Sequence, residues 1–423
     1  MSSLEQRERC LLIGIDRGLD DVPIAESLDE LANLAHSAGA DEVGRVVQVR
    51  KRPDPALYVG RGKIEEAAAL LAATGATMVI FDDELSPAQA RNLERELGVR
   101  VVDRTQLILD IFAQRARTKE ARLQVELAQL RYLLPRLSGI GTTLSRLGGG
   151  IGTRGPGETK LEVDRRRIRT RIAELRRELE AVRRQRALQR EGREGFLALT
   201  VALVGYTNAG KSTLFNRLTG AEVYADDRLF ATLDPTIRHV SLPGGRRALL
   251  VDTVGFIRKL PHELVAAFRA TLEEVVYADL LVHVVDVSRD DWYDQARAVY
   301  DVLDQIGAGD KPIVTALNKI DLAPGEIVAG HLGRLARSVA ISARTGEGLD
   351  QLLRVIEELA PEPVVRWRFT IPYTEGHVRS WIHTHGRVLK EEYAPAGVVL
   401  VAELARSLAD RVRSFRSETD MVE

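Results

Sequence analysis

Up to about residue 115 the chain alternates short apolar runs with amphipathic stretches. Leu11 to Ile15 and Val43 to Val49 read as strands on either side of a helix around Leu28 to Ala38. A second round places a helix over Ile64 to Ala73, a strand at Met78 to Phe81, a helix after Ser86-Pro87 and a strand at Val99 to Val102. Strand and helix periods in alternation predict a small α/β domain. The period then changes. Leu123, Leu127, Leu130, Leu134 and Leu137 recur with the 4,3 spacing of a helix seam, as do Ile168, Ile172, Leu175, Leu179 and Val182. Two long helices packed as an antiparallel hairpin are expected, joined at the tip by a loop with eight glycines between Ser138 and Glu158. Further on, Thr200 to Val204, Leu249 to Val251 and Ile313 to Leu317 read as strands. Val365 to Ile371 and Gly397 to Val401 alternate as strands of a small C-terminal α+β module, with a helix beginning near Ala402.

The length of 423 residues exceeds what one core supports and calls for two to four domains. A hydrophobic share of 45% and a charged share of 29% describe an ordinary globular protein, and no apolar run approaches a membrane span. A cytoplasmic location is expected, with ribosomes or a membrane surface as places of association. Cys10, alone of its kind, builds neither a disulfide nor a zinc cluster and reads as a buried or inert thiol. His377, His383 and His385 read as exposed or structural residues, not as a metal site.

Charge alters this picture when it is mapped. The net charge is −1, yet residues 115 to 193 hold 21 Arg or Lys against 9 Asp or Glu. Arginine outnumbers lysine there by 19 to 2, which suits bidentate contact with phosphates. The loop's Gly150-x-Gly152-x-x-Gly155 matches the dinucleotide fingerprint in letters, but a helix precedes it where a strand is required. A glycine-rich tip carrying Arg146 and Arg154, with Lys160 beyond it, is better suited to approaching a phosphate-rich surface.

The chemistry lies further along. A β-branched strand runs into Gly205-Tyr206-Thr207-Asn208-Ala209-Gly210-Lys211-Ser212 and then a helix, the context a phosphate loop requires. Its amides wrap the phosphates, Lys211 neutralises them and Ser212 offers a hydroxyl to Mg2+. Asn318-Lys319-Ile320-Asp321 specifies the base, because a carboxylate at Asp321 can accept from two guanine donors that adenine lacks. Ser342-Ala343-Arg344 fits an amide facing guanine O6. Asp252-Thr253-Val254-Gly255 places Asp252 near the magnesium, through water, and the Gly255 amide at the γ-phosphate. Phe230-Ala231-Thr232-Leu233-Asp234 supplies Thr232 to the magnesium shell while GTP is bound. Lys211, Thr232 and Gly255 are the expected catalytic group, with Ser212 and Thr232 as metal ligands. Where many relatives of this GTPase class place a water-orienting glutamine after Asp-x-x-Gly, this chain has Phe256, so slow turnover alone is expected. Asn208 resembles the asparagine of potassium-dependent GTPases; shaping the turn is its alternative role.

Tyr58-Val59-Gly60-Arg61-Gly62-Lys63, the run from Gly148 to Lys160, the arginine-rich stretch and Phe230 to Thr236 resemble the HflX family of GTPases. The resemblance implies a multi-domain α/β fold: an N-terminal α/β domain at 1–115, a basic helical hairpin at 116–195, a P-loop GTPase domain at 196–362 and a small α+β domain at 363–423. It also implies binding of GTP and GDP, of ATP at a site the residues do not locate, and of the large (50S) ribosomal subunit and its RNA. Splitting or rescue of stalled ribosomes under stress follows from the resemblance alone. A GTPase acting in subunit assembly, or a protein-binding switch without RNA contact, are the competing readings.

Overall fold

The computed structural model describes residues 7–18, 22–137, 160–193, 199–221, 229–230, 232–259, 269–325, 330–335, 337–362 and 364–417. The glycine-rich tip with Arg146 and Arg154, the side chain of Lys160, and Ala231 lie outside them.

The first layer is a four-stranded parallel sheet in the order β2-β1-β3-β4, formed by β1 (Glu8–Asp16), β2 (Ala40–Val49), β3 (Met78–Phe81) and β4 (Arg100–Asp103). The central strand β1 is buried and without charge from Cys10 to Ile15 because helices cover both of its faces. Those helices are α1 (Ile24–Ala38), α2 (Arg61–Thr74), α3 (Pro87–Leu97) and α4 (Arg104–Arg115). Ser86 and Gln89 close a capping box on α3, with Pro87 in its first turn. Asp103 caps α4, a helix the apolar pattern did not separate from its neighbours. Cys10 is buried on β1, and burial with nearby carboxylates pushes its thiol up to about 12, far from the reactive range.

Helices α5 (Lys119–Arg136) and α6 (Lys160–Arg193) pack along the expected seam. Leu123 and Leu127 meet Ile172, Leu175 and Leu179, with Leu130, Leu134 and Ile168 alongside, and Arg171 pairs with Glu126 at 2.7 Å.

The largest sheet has six strands in the order β10-β9-β8-β5-β7-β6, parallel except for β6. They are β5 (Leu199–Gly205), β6 (Thr236–Ser241), β7 (Arg247–Asp252), β8 (Leu280–Asp286), β9 (Ile313–Asn318) and β10 (Ser338–Ala340). Helices α7 (Lys211–Thr219), α8 (Arg269–Tyr277), α9 (Trp292–Gln305) and α10 (Leu349–Leu359) flank it. In such a sheet ligands bind beyond the carboxyl ends of the strands, and four of the five candidate motifs follow β5, β7, β9 and β10 there, while the fifth, at 230–234, leads into the antiparallel β6.

The C-terminal unit is an antiparallel sheet, β11-β13-β12, of β11 (Val364–Ile371), β12 (Arg387–Ala394) and β13 (Gly397–Ala405), with α11 (Gly376–His385) and α12 (Arg406–Arg411). The expected helix start near Ala402 is corrected: Ala402 lies inside β13, paired to Trp367 and fully buried, and the helix begins at Arg406. Helix-favouring residues there were overridden by the alternation that buries Val398, Leu400, Ala402 and Leu404 on one face. His383 pairs with Glu391 at 3.0 Å and His385 with the Trp381 carbonyl at 2.9 Å.

Candidate nucleotide site

Strand β5 delivers the Gly205 to Ser212 loop to the N-terminus of α7, where no side chain caps the helix and the first amides are left for an anion. Gly210 stands at φ 95°, and a Cβ there would lie 2.3 Å from Asn318 Nδ2, so glycine is required. Lys211 Nζ donates to the Gly205 and Tyr206 carbonyls at 3.0 and 2.7 Å, oxygens that stand in for those of a phosphate. Burial lowers the Lys211 pKa to about 8 against the opposing pull of Asp252, and a triphosphate beside it would favour the charged form further.

Three separate segments converge beside Lys211. Ser212 Oγ donates to Asp252 Oδ2 at 2.7 Å and meets Thr232 Oγ1 at 2.8 Å, while Thr232 Oγ1 reaches the same Asp252 oxygen at 3.0 Å. The other oxygen, Asp252 Oδ1, is buried with no hydrogen-bond partner among the described residues. Burial raises the Asp252 pKa, and the two hydroxyls and Lys211 only partly offset it. Two hydroxyls and an orphaned buried carboxylate oxygen are the hard donors Mg2+ takes, so the residues fit that ion. Gly255 closes the pocket: a Cβ there would lie 2.9 Å from both Lys211 Nζ and the Thr207 side chain. Thr253 and Val254 are buried, the Thr253 hydroxyl donating to the Leu203 carbonyl at 2.6 Å.

At the base end, Asn318 ties the motifs together. Its Nδ2 donates to the Ala209 carbonyl at 2.8 Å and its Oδ1 accepts from the Ala343 amide at 2.9 Å. Asp321 accepts from Ser342 Oγ at 2.7 Å, which fixes the carboxylate's orientation, and Lys319 pairs with Asp286 at 2.7 Å. Ile320 lies between them in a short 3-10 turn. The Ala343 amide is thus engaged inside the loop, while Arg344 is exposed beside it. Asn208 is exposed at φ 61°, a left-handed position asparagine tolerates.

Three candidate residues turn elsewhere. Phe230 and Leu233 are buried in an apolar core, the Phe230 ring 4.6 Å from that of Phe112 on α4. Asp234 accepts from the Arg117 and Thr118 amides at the start of α5. Phe256 is only 1% exposed, and its backbone is locked to the phosphate loop through Thr207 N and Gly205 O at 2.8 and 3.1 Å. Its ring belongs to the core.

The N-terminal sheet's helices approach the loops more closely than the motifs imply. Tyr206 and Arg104 both bond Glu30 of α1, the Arg258 amide donates to Tyr206 Oη at 2.8 Å, and Lys259 pairs with Asp82 and Asp83 at 2.5 and 2.9 Å. A cleft of about 310 Å³ remains between the two units, with Glu26, Glu30, Thr207, Asn208 and Asp291 among its walls. The adjacent charges Arg258-Lys259 and Asp82-Asp83 were the only signal of this contact in the sequence.

Comparison with known proteins agrees with this geometry. Residues 25–113 match a family model described as GTP-binding GTPase N-terminal, 115–193 its middle region, and 200–319 one described as 50S ribosome-binding GTPase. A GTPase HflX of Caldanaerobacter subterraneus is 50% identical, covering 97% of this chain and 94% of its own length. GTPase HflX proteins of Lacrimispora saccharolytica and Escherichia coli are 50% and 46% identical over 97% and 94% of this chain, covering 98% and 94% of their own lengths. With a phosphate loop, a guanine-type motif and a relative matched nearly end to end, this chain belongs to the HflX family of GTPases and hydrolyses GTP.

Proposed function

We propose that the protein couples GTP hydrolysis to binding of the large ribosomal subunit, and that it splits or rescues stalled ribosomes. The observation that carries this reading is the basic hairpin, on which Arg169, Arg176 and Arg177 are exposed along α6. Phosphate-backbone contact by arginine suits that face, and recognition of shaped RNA needs no sequence code. The description of the family model matched at 200–319 supports the same partner.

In the GTPase site, Lys211 and the α7 amides hold the phosphates, Gly255 gives room to the γ-phosphate and Asp321 reads guanine. Ser212 and Thr232 would hold Mg2+, with Asp252 behind them, and the ion would neutralise phosphate charge there. Because the Phe256 side chain is withdrawn into the core, the residue after Gly255 does not orient the attacking water. Completion of the site falls to a bound partner or to potassium at Asn208.

The test is steady-state GTP turnover with and without purified large subunits, in potassium and in sodium buffer, for the full chain and a variant lacking residues 139–157. Stimulation by subunits that disappears with the loop is the expected result. Equal, unstimulated rates would sink the ribosomal reading, and equal rates in the two salts would remove potassium.

A further inference from the structure

The segment that carries Thr232 is fastened to the hairpin through Asp234. Asp234 Oδ2 accepts from the backbone amides of Arg117 and Thr118, both at 3.1 Å, and Asp234 Oδ1 accepts from Thr118 Oγ1 at 2.5 Å. Thr118 is the N-cap of α5, and its Oγ1 in turn accepts from the Ala121 amide at 3.1 Å. The Asp234 carboxylate therefore sits where the orphan amides and the positive end of the helix dipole favour an anion. Two residues upstream, Thr232 meets Ser212 and Asp252. The intervening Leu233 is buried, and Phe230 is pinned against Phe112 of α4 while Ser37 of α1 accepts from the Leu229 amide at 3.1 Å.

We infer that Asp234 is a positioning residue that joins the placement of Thr232 at the phosphate site to the placement of the hairpin's first turn. Slack between the two is small. A shift of Thr232 by more than a hydrogen bond tolerates must either break the three bonds at Asp234 or carry the N-terminus of α5 with it. Release of Thr232 after loss of the γ-phosphate is thereby read out at the base of the hairpin. By linkage, fixing the hairpin from outside favours Thr232 in place by the same factor. The coupling does not depend on what the hairpin docks on, so it stands or falls apart from the ribosomal reading.

The experiment uses the full chain, wild type and Asp234→Ala, loaded with GDP or with a non-hydrolysable GTP analogue. Hydrogen exchange is followed in peptides covering residues 117–124, beside single-turnover hydrolysis and GDP affinity. In the wild type these amides should exchange at different rates in the two nucleotide states. In the variant that difference should vanish, hydrolysis should fall by about tenfold or more, within the usual range of site coupling, and GDP affinity should hold within about twofold. Thr118→Val removes one of the three bonds and leaves the two amides in place, so it should narrow the exchange difference and slow hydrolysis less than Asp234→Ala, while Thr118→Ser should match the wild type, which keeps the test open if the aspartate variant does not fold. An exchange difference that survives in Asp234→Ala, or that is absent from the wild type, would overturn the inference. So would slowed hydrolysis with the difference intact.

Discussion

Leu175→Ala separates the hairpin from the GTPase site. Leu175 is 0% exposed, and the described buried apolar residues of α6, namely Ile172, Leu175 and Leu179, all lie in one seam with Leu123 and Leu127. Helix α5 is held differently, since Ala121, Val125, Ala128 and Tyr132 on its other face belong to the core shared with α1 and α4. Truncating a fully buried leucine costs about 2–5 kcal/mol in lost transfer energy and cavity. The Arg171 to Glu126 pair, with side chains 40% and 42% exposed, is screened by solvent and does little to hold α6 once the seam is weakened. At about 1.4 kcal/mol per decade, amide protection in the seam portion of α6 should drop about 30- to 5,000-fold. Native-state hydrogen exchange read by mass spectrometry over 165–182, 119–136 and the strands β5 and β8 is the assay, with unstimulated GTP turnover in parallel. The expected order of loss is α6 first, α5 much less, β5 and β8 unchanged, with turnover within about twofold of wild type. A loss below about tenfold in α6, or an equal loss in α5 and β5, would refute the view that this seam alone holds the helix.

Two further substitutions probe buried positions. His283 on β8 is fully buried, and neither ring nitrogen has a hydrogen-bond partner among the described residues; burial, with the Lys211 charge added, holds its pKa down to about 3. The unfolded chain takes up this proton near pH 6.5 and the folded chain does not, so stability is complete above 6.5 and is lost as pH falls, by about 1.4 kcal/mol per unit. His283→Leu should flatten the fall in thermal midpoint between pH 7 and 5, and identical slopes for the two proteins would count against it. Phe256→Gln should cost about 3–5 kcal/mol, because an amide replaces a ring in an apolar core, and should not speed hydrolysis. A faster single-turnover rate at unchanged stability would show that position 256 reaches the attacking water.

Most elements were legible because their periods are strong and their punctuation is physical. The seam leucines, the capping box at Ser86 and the β-branched strands leading to each motif all carry local signals that packing reinforces. The α12 start was misplaced because Ala402 and Leu404 suit a helix locally, while pairing with β11 decides for a strand. At the site, motif spacing brought Ser212, Asp252 and Thr232 into one pocket, as strand ends in a parallel sheet must. What spacing could not give was direction. Phe230, Leu233 and Asp234 sit inside a motif yet point into another part of the molecule, and nothing in seven consecutive letters says which side chain faces a ligand and which faces a neighbouring helix.

The same limit hid the second fastening of the switch segments, the one through charge. Arg104 is 2% exposed and pairs with Asp82 at 2.8 Å and with Glu30, while its Nη2 also donates to the Arg258 carbonyl at 3.2 Å. Burial depresses even this guanidinium, to about 10, and raises Asp82 despite Lys259 beside it. Charges buried at such cost are seldom the most stable filling of a core, since well-packed apolar residues often do better. Lys259 follows the γ-phosphate segment at φ 53°, a left-handed conformation that costs a non-glycine residue about 1 kcal/mol or more, and it is held there by Asp82 and Asp83. Since Phe230 packs on Phe112 of α4 and the Leu229 amide donates to Ser37 of α1, the Thr232 segment rests on the same N-terminal unit, and both segments proposed to sense the γ-phosphate share one support. If the two segments reorder with the nucleotide, the support must rearrange with them or oppose them, and in either case the N-terminal unit would contribute to the free energy of the GTP state.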